Sequence, residues 1–136
     1  MNDCIFCKIA RKDIPALIIS EDETCMAMID IKPTNPGHFL VLPKVHYQDL
    51  ASTPDELIAK LFVVAKHVAA ATLKAVGAQA FNTVVNTGVD AGQVIMHTHV
   101  HIIPRFNDDG LKHWPAKTMS EADMAKICEA IKSNLK

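Results

Sequence analysis

Apolar positions along the chain fall into short runs broken by proline, glycine and charge, with one long helical stretch between them. Residues 16–20 and 24–30 are apolar runs on either side of Glu21-Asp22-Glu23, which predicts a hairpin of two strands. The turn Pro33-Thr34-Asn35-Pro36-Gly37 then leads into a third, buried strand over 38–42, closed by Pro43. Thr53-Pro54-Asp55-Glu56 reads as a helix start: a capping hydroxyl, a proline at the first helical position and acids at the positive dipole end. Leu57, Leu61, Ala65, Val68 and Val76 share one face of that helix, and Gly77 stops it. A fourth strand is predicted over 81–86, a loop over 87–93, and a fifth strand over 94–103 ended by Pro104. Ser120 caps a last helix in which Met124, Ile127, Cys128, Ile131 and Leu135 recur at helical spacing. A short helical turn over 8–12, ending before Pro15, completes the reading. Strands ahead of, between and after helices, without strict alternation, predict an α+β fold. Its sheet is antiparallel with about five strands, carrying one long central helix and a C-terminal helix. The absence of repeats and linkers makes 1–136 one domain.

Composition narrows the function. At 136 residues, 49% hydrophobic and 21% charged, the chain can build a single core and does not have the makeup of a disordered segment. Fourteen basic against fifteen acidic residues leave a net charge of -1, so no general field attracts a nucleic acid or an anionic membrane, and neither is an expected partner. Any phosphate site must be local. No apolar run reaches the roughly twenty residues of a spanning helix, and Met1-Asn2-Asp3-Cys4 has no signal-peptide character; a cytoplasmic location is the expectation. Of four cysteines, only Cys4 and Cys7 form a local pair.

The run His97-Thr98-His99-Val100-His101-Ile102-Ile103 holds most of the chemistry. Strand geometry would put its three histidines on one side and Thr98, Val100 and Ile102 on the other. A lone exposed histidine is usually just solvated; three at strict period two form a pattern. Imidazole is a common metal ligand, so a metal site is one reading. Acid-base and nucleophilic work is the stronger one, because neutral imidazole attacks phosphorus and charged imidazole donates a proton.

This run resembles the signature of the histidine triad (HIT) hydrolases and transferases, in particular their nucleoside-phosphoramidase (Hint-like) branch. Cys4-Ile5-Phe6-Cys7-Lys8-Ile9, Asp30-Ile31, Pro36-Gly37-His38-Phe39-Leu40-Val41-Leu42-Pro43-Lys44, Val85-Asn86 and Gly92-Gln93 extend the likeness to about Pro115. The resemblance implies that His99 attacks the α-phosphorus of a purine nucleotide to form a covalent nucleotidyl-histidine, resolved by water or another acceptor. It implies that His101 donates to the phosphate and leaving group, that His97 is the first triad member, and that His38 orients the row. Phe6, Ile9, Ile31 and Leu40 would wall an apolar base slot, Asp30 would accept from the ribose, and Asn86 would reach the phosphate or sugar. Backbone amides around Gly92 and Gln93 would add donors for developing charge. The bland reading of the apolar four is core, and that of Asp30 is turn capping into Lys32-Pro33.

Val94 departs from the family, where many members carry Ser or Thr; valine cannot donate, and one charge-assisted hydrogen bond of roughly 1.5–3 kcal/mol is absent or replaced. The resemblance also implies a structural zinc held by Cys4, Cys7, His46 and His97, against the alternative of two buried thiols beside a surface histidine. It implies a homodimer, with His113-Trp114-Pro115 near the active site of the partner, against the alternative that the only tryptophan anchors the tail. His67 reads as structural or solvated, and Lys60, Lys66 and Lys74 as a wet helix face. The expectation is a nucleotide hydrolase or transferase acting on purine nucleoside phosphoramidates. Its rivals are a dinucleoside polyphosphate hydrolase, a non-catalytic nucleotide-binding module and a zinc-dependent interaction domain.

Overall fold

The chain is described by a computed structural model over residues 3–135; the leader reading of Met1 and Asn2, and Lys136 of the single domain, lie outside those residues. Strands β1 (Ile18–Glu21) and β2 (Cys25–Ile29) form the predicted hairpin. Its turn is closed by one carboxylate oxygen: the Thr24 and Cys25 amides donate to Asp22 Oδ1 at 2.7 and 3.0 Å. Strand β3 (Phe39–Pro43) pairs antiparallel with β2 in the register Ile29 to Phe39. Helix α2 (Asp55–Val76), then β4 (Ala80–Val84) and β5 (Val100–Arg105), give a five-stranded sheet in the order β1-β2-β3-β5-β4, with every neighbouring pair antiparallel. The α+β expectation therefore holds.

The sheet has two covered faces with different tasks. Leu61, Ala65, Val68 and Ala69 of α2 meet Cys25, Ala27, Phe39, Val41, Val100 and Ile102 in the main core. The opposite face presents Met26, Met28, Leu40 and Leu42 to Phe6 and Ile9 of helix α1 (Ile5–Ala10). Because α1 is short, this second face is only partly roofed, and the site forms there. Gly77 ends α2 with φ 73°, a left-handed conformation that glycine adopts without a Cβ penalty.

Four local expectations are corrected. Helix α1 begins at Ile5 rather than 8, with Cys4 as its N-cap residue, so both cysteines belong to it. The Thr53 hydroxyl does not cap α2, whose N-cap residue is Pro54; it is turned toward the triad segment. Pro104 does not end β5, because a proline lacks only the N–H, and its carbonyl accepts from Asn35 Nδ2 at 2.9 Å. Strand β5 starts at Val100, so of the three triad histidines only His101 lies in the ladder. Helix α3 (Glu121–Asn134) is capped as predicted, with Ser120 Oγ accepting from the Asp123 amide at 3.1 Å, but residues 111–135 are exposed throughout. No helix among the described residues is long and apolar enough to cross a membrane.

Candidate active site

His97, His99 and His101 form one row, with His99 and His101 ring centroids 4.8 Å apart and Phe6 set edge-on to His97 and His99 at 5.7 and 5.1 Å. The alternation of faces survives although the strand does not reach His97. Thr98 points away, toward α2's entry, and Val100 lies in the main core. His97 is fully buried and His99 nearly so.

Hydrogen-bond partners assign the ring tautomers. Nδ1 of His99 lies 2.7 Å from the His97 carbonyl oxygen, which can only accept, so Nδ1 carries the proton and Nε2 keeps a free lone pair. Burial holds the His99 imidazole below its ordinary pKa, with the His97 carbonyl opposing, so the neutral imidazole is the resting form at neutral pH. The Thr34 amide donates to His38 Nδ1 at 3.0 Å, which makes His38 Nε2 the protonated nitrogen. That nitrogen is 2.9 Å from His101 Nδ1, so His101 in turn carries its proton on Nε2. Burial, then the neighbouring histidines, push His101 down to about 4. His38 is also lowered by burial, against the pull of Asp30, whose Oδ2 lies 3.4 Å from His38 Nε2.

His99 and His101 line a cleft of about 570 Å³. The structure brings Phe6, Ile9, Asp30, Ile31, Leu40, Asn86 and Gly92 to its walls, with Ile14, Met28 and Ile95 as apolar additions that no motif signalled. Asp30 acts as a turn cap, Oδ1 accepting from the Lys32 amide at 2.8 Å, and the residue also lines the cleft. Val94 also lines the cleft and is 87% exposed. A larger cavity of about 890 Å³ between β4 and residues 105–113 contains no triad histidine.

Gly92 and Gln93 do not offer the amide donors expected of them. The Gly92 N–H is committed to Val89 O at 2.9 Å and that of Gln93 to Gly88 O at 3.1 Å, inside the turn itself. The Gln93 side chain is a strut: Oε1 accepts from the Gly88 amide at 2.8 Å, and Nε2 donates to Gln48 O at 2.7 Å and Ile95 O at 3.1 Å.

Behind the row, Cys4, Cys7, His46 and His97 bring one ligand atom each to within 4.8 Å of one another. His97 Nδ1 lies 3.4 Å from Cys4 Sγ, 3.6 Å from Cys7 Sγ and 3.2 Å from His46 Nδ1, and Cys7 Sγ lies 3.4 Å from His46 Nδ1. A tetrahedron with zinc bonds of about 2.05 Å to nitrogen and 2.3 Å to sulfur has edges of roughly 3.3–3.8 Å. The tautomer also fits, because His97 Nε2 donates to Pro43 O at 2.8 Å and leaves Nδ1 a free lone pair. The donor set thus fits a metal. His67 and the 113–115 segment stand outside both sites, exposed.

The model of the HIT domain matches residues 11–108. The adenylylsulfatase HINT3 of Arabidopsis thaliana is 43% identical over 87% of this chain, which spans 59% of that protein's length. Adenosine 5'-monophosphoramidase hnt1 of Schizosaccharomyces pombe is 38% identical over 98% of both chains. A zinc-bound histidine triad family protein from Mycobacterium smegmatis superposes with a TM-score of 0.78 at 35% identity, covering 95% of this chain and 98% of the other. With the alternating row, its orienting histidine and the cleft beside it on the page, these matches assign the chain to the HIT domain family.

Proposed function

We propose that this protein hydrolyses purine nucleoside phosphoramidates at the α-phosphate through a covalent nucleotidyl-histidine at His99. The observation that carries the reading is the 2.7 Å contact from His99 Nδ1 to the His97 carbonyl, which leaves Nε2 unprotonated on a ring that lines the cleft. Phe6, Ile9 and Leu40 take the base by apolar contact, while Asp30 and Asn86 face the sugar side. Nε2 forms a bond to phosphorus as the phosphorus–nitrogen bond to the leaving group breaks; the amine departs with the proton carried on the protonated nitrogen of the phosphoramidate, while the neutral His101 Nε2–H donates a hydrogen bond to the phosphate and the leaving nitrogen. Water then attacks the nucleotidyl-histidine, gives up a proton to solvent and displaces neutral His99 as the nucleoside monophosphate is released.

The leaving group is chosen by charge. Among the described residues lining the cleft, Lys32 is the one Lys or Arg side chain, and Val94 adds an apolar wall with no hydroxyl to donate. A departing amine needs little positive charge, whereas a departing nucleoside polyphosphate needs a good deal. The names of the two relatives, an adenylylsulfatase and a monophosphoramidase, support an adenylyl substrate. Incubation with an adenosine phosphoramidate and with diadenosine polyphosphates, following AMP, tests the reading. Faster release from the phosphoramidate supports it, and preference for the polyphosphate, or binding of AMP without turnover of either, overturns it.

Cys4, Cys7, His46 and His97 hold a structural zinc; four protein ligands leave no open position, so the ion ties α1 to the triad segment. The working form is a homodimer. Met124, Ile127 and Ile131 of α3 are each about half exposed, Trp114 is 90% exposed, and β4 is an uncovered sheet edge, all surfaces that a second copy would bury. Light scattering that returns a monomer at micromolar concentration would overturn the dimer.

A further inference from the structure

The triad segment has a mechanical problem. Residues 94–99 lie outside the sheet ladder, yet His99 must be held to a fraction of an ångström. The peptide group between His97 and Thr98 is where that restraint concentrates. Its carbonyl accepts from His99 Nδ1 at 2.7 Å, and its N–H donates to Tyr47 O at 2.8 Å. A peptide unit is planar and trans, so fixing the direction of the N–H fixes the direction of the carbonyl on its other side.

One residue fixes that plane from beneath. The Thr98 side chain is buried and its Oγ1 lies 2.7 Å from Thr53 Oγ1, itself buried just ahead of α2. Thr53 Oγ1 donates to Asp49 O at 2.7 Å, so Thr98 is the donor in the hydroxyl pair and both short bonds are made. The alternative acceptor for Thr98, Tyr47 O, lies at 3.3 Å. We infer that Thr98, clamped through Thr53 to the 47–53 loop, is a positioning residue for the nucleophile: it sets the peptide plane whose carbonyl orients the His99 ring. The catalytic part of this inference rests on the proposed function, and the ring-orientation part stands without it.

Thr98→Val keeps the shape and removes the donor, and it orphans no buried group because Thr53 still donates to Asp49 O. The readout without substrate is solvent exchange of the His99 Nδ1 proton by NMR. The readout with substrate is the single-turnover rate beside the dissociation constant for AMP. Thr98→Val is expected to speed proton exchange and slow the single-turnover step by about tenfold or more, with AMP affinity unchanged. Thr98→Ser restores both, and Thr53→Val reproduces the loss without adding to it in the double variant. Unchanged exchange in a folded Thr98→Val overturns the inference. So does an equal rise in exchange in Val68→Ala, a main-core variant remote from the clamp. If the parent protein releases no AMP from any substrate, the function fails while the exchange measurement still decides the clamp.

Discussion

Nε2 of His38 lies 2.9 Å from Nδ1 of His101, and the Thr34 amide on the far side of the His38 ring dictates which nitrogen holds the proton. One backbone N–H thus fixes two tautomers in series and leaves Nε2 as the protonated nitrogen of His101. His38→Phe keeps a ring in the buried site and removes the donor. The expected result is a single-turnover rate lower by at least about tenfold with AMP affinity retained; equal losses of both would make His38 a binding residue instead.

The metal quartet predicts about one zinc per chain in protein purified without chelator. Cys4→Ser with Cys7→Ser is expected to lose it, and a chelator to lower the melting temperature of the parent but not of the double variant. A metal-free parent of equal stability would return both thiols to the core, where burial already raises that of Cys7.

His101 makes stability depend on pH. Its folded value of about 4 lies below the roughly 6.5 of an unfolded histidine, so between them the unfolded chain binds the extra proton. Stability is therefore full above about pH 6.5 and declines as pH falls, the loss being complete below about 4. His38 and His99, which touch His101, are shifted in the same direction, and Asp30 opposes the shift. Denaturant titrations at pH 7 and 5 are expected to show a shallower decline in His101→Gln, by up to about one proton in linkage. Parallel slopes would contradict the shift.

Val94 is exposed on the cleft wall rather than packed under its loop, so serine there removes little burial. Val94→Ser is expected to raise kcat/KM for the phosphoramidate by about tenfold, one restored charge-assisted hydrogen bond, with an unchanged melting temperature. A slower variant of equal stability would show that phosphate is gripped elsewhere.

What could be read from the residues was whatever had a local cause. Helix α2 follows from its apolar face and Gly77, and the hairpin from Asp22 between two apolar runs. The alternation of His97, His99 and His101 named the right face even though β5 starts only at Val100, because side chains rather than ladder bonds hold the first two. The metal quartet joins segments far apart in the chain, and only likeness to a family collected them. Gln93 and Thr53 depart from expectation for different reasons: the Gln93 backbone amide is spent inside its own turn on Gly88 O, and the Thr53 hydroxyl, in place of a helix cap, pairs with distant Thr98. The exposed ridge of α3 has the same spacing as a buried one, so its periodicity announced the helix and not its surroundings.

The central claim is that His99 becomes covalently nucleotidylated. The most direct measurement mixes the protein with an adenosine phosphoramidate, quenches at alkaline pH to preserve the acid-labile phosphorus–nitrogen bond, and locates the adduct by fragmentation mass spectrometry. The account predicts an adenylyl group on His99 that forms and decays at rates compatible with turnover and is missing, together with AMP release, in His99→Ala. An adduct on another residue, or AMP release at the parent rate from His99→Ala, would contradict it.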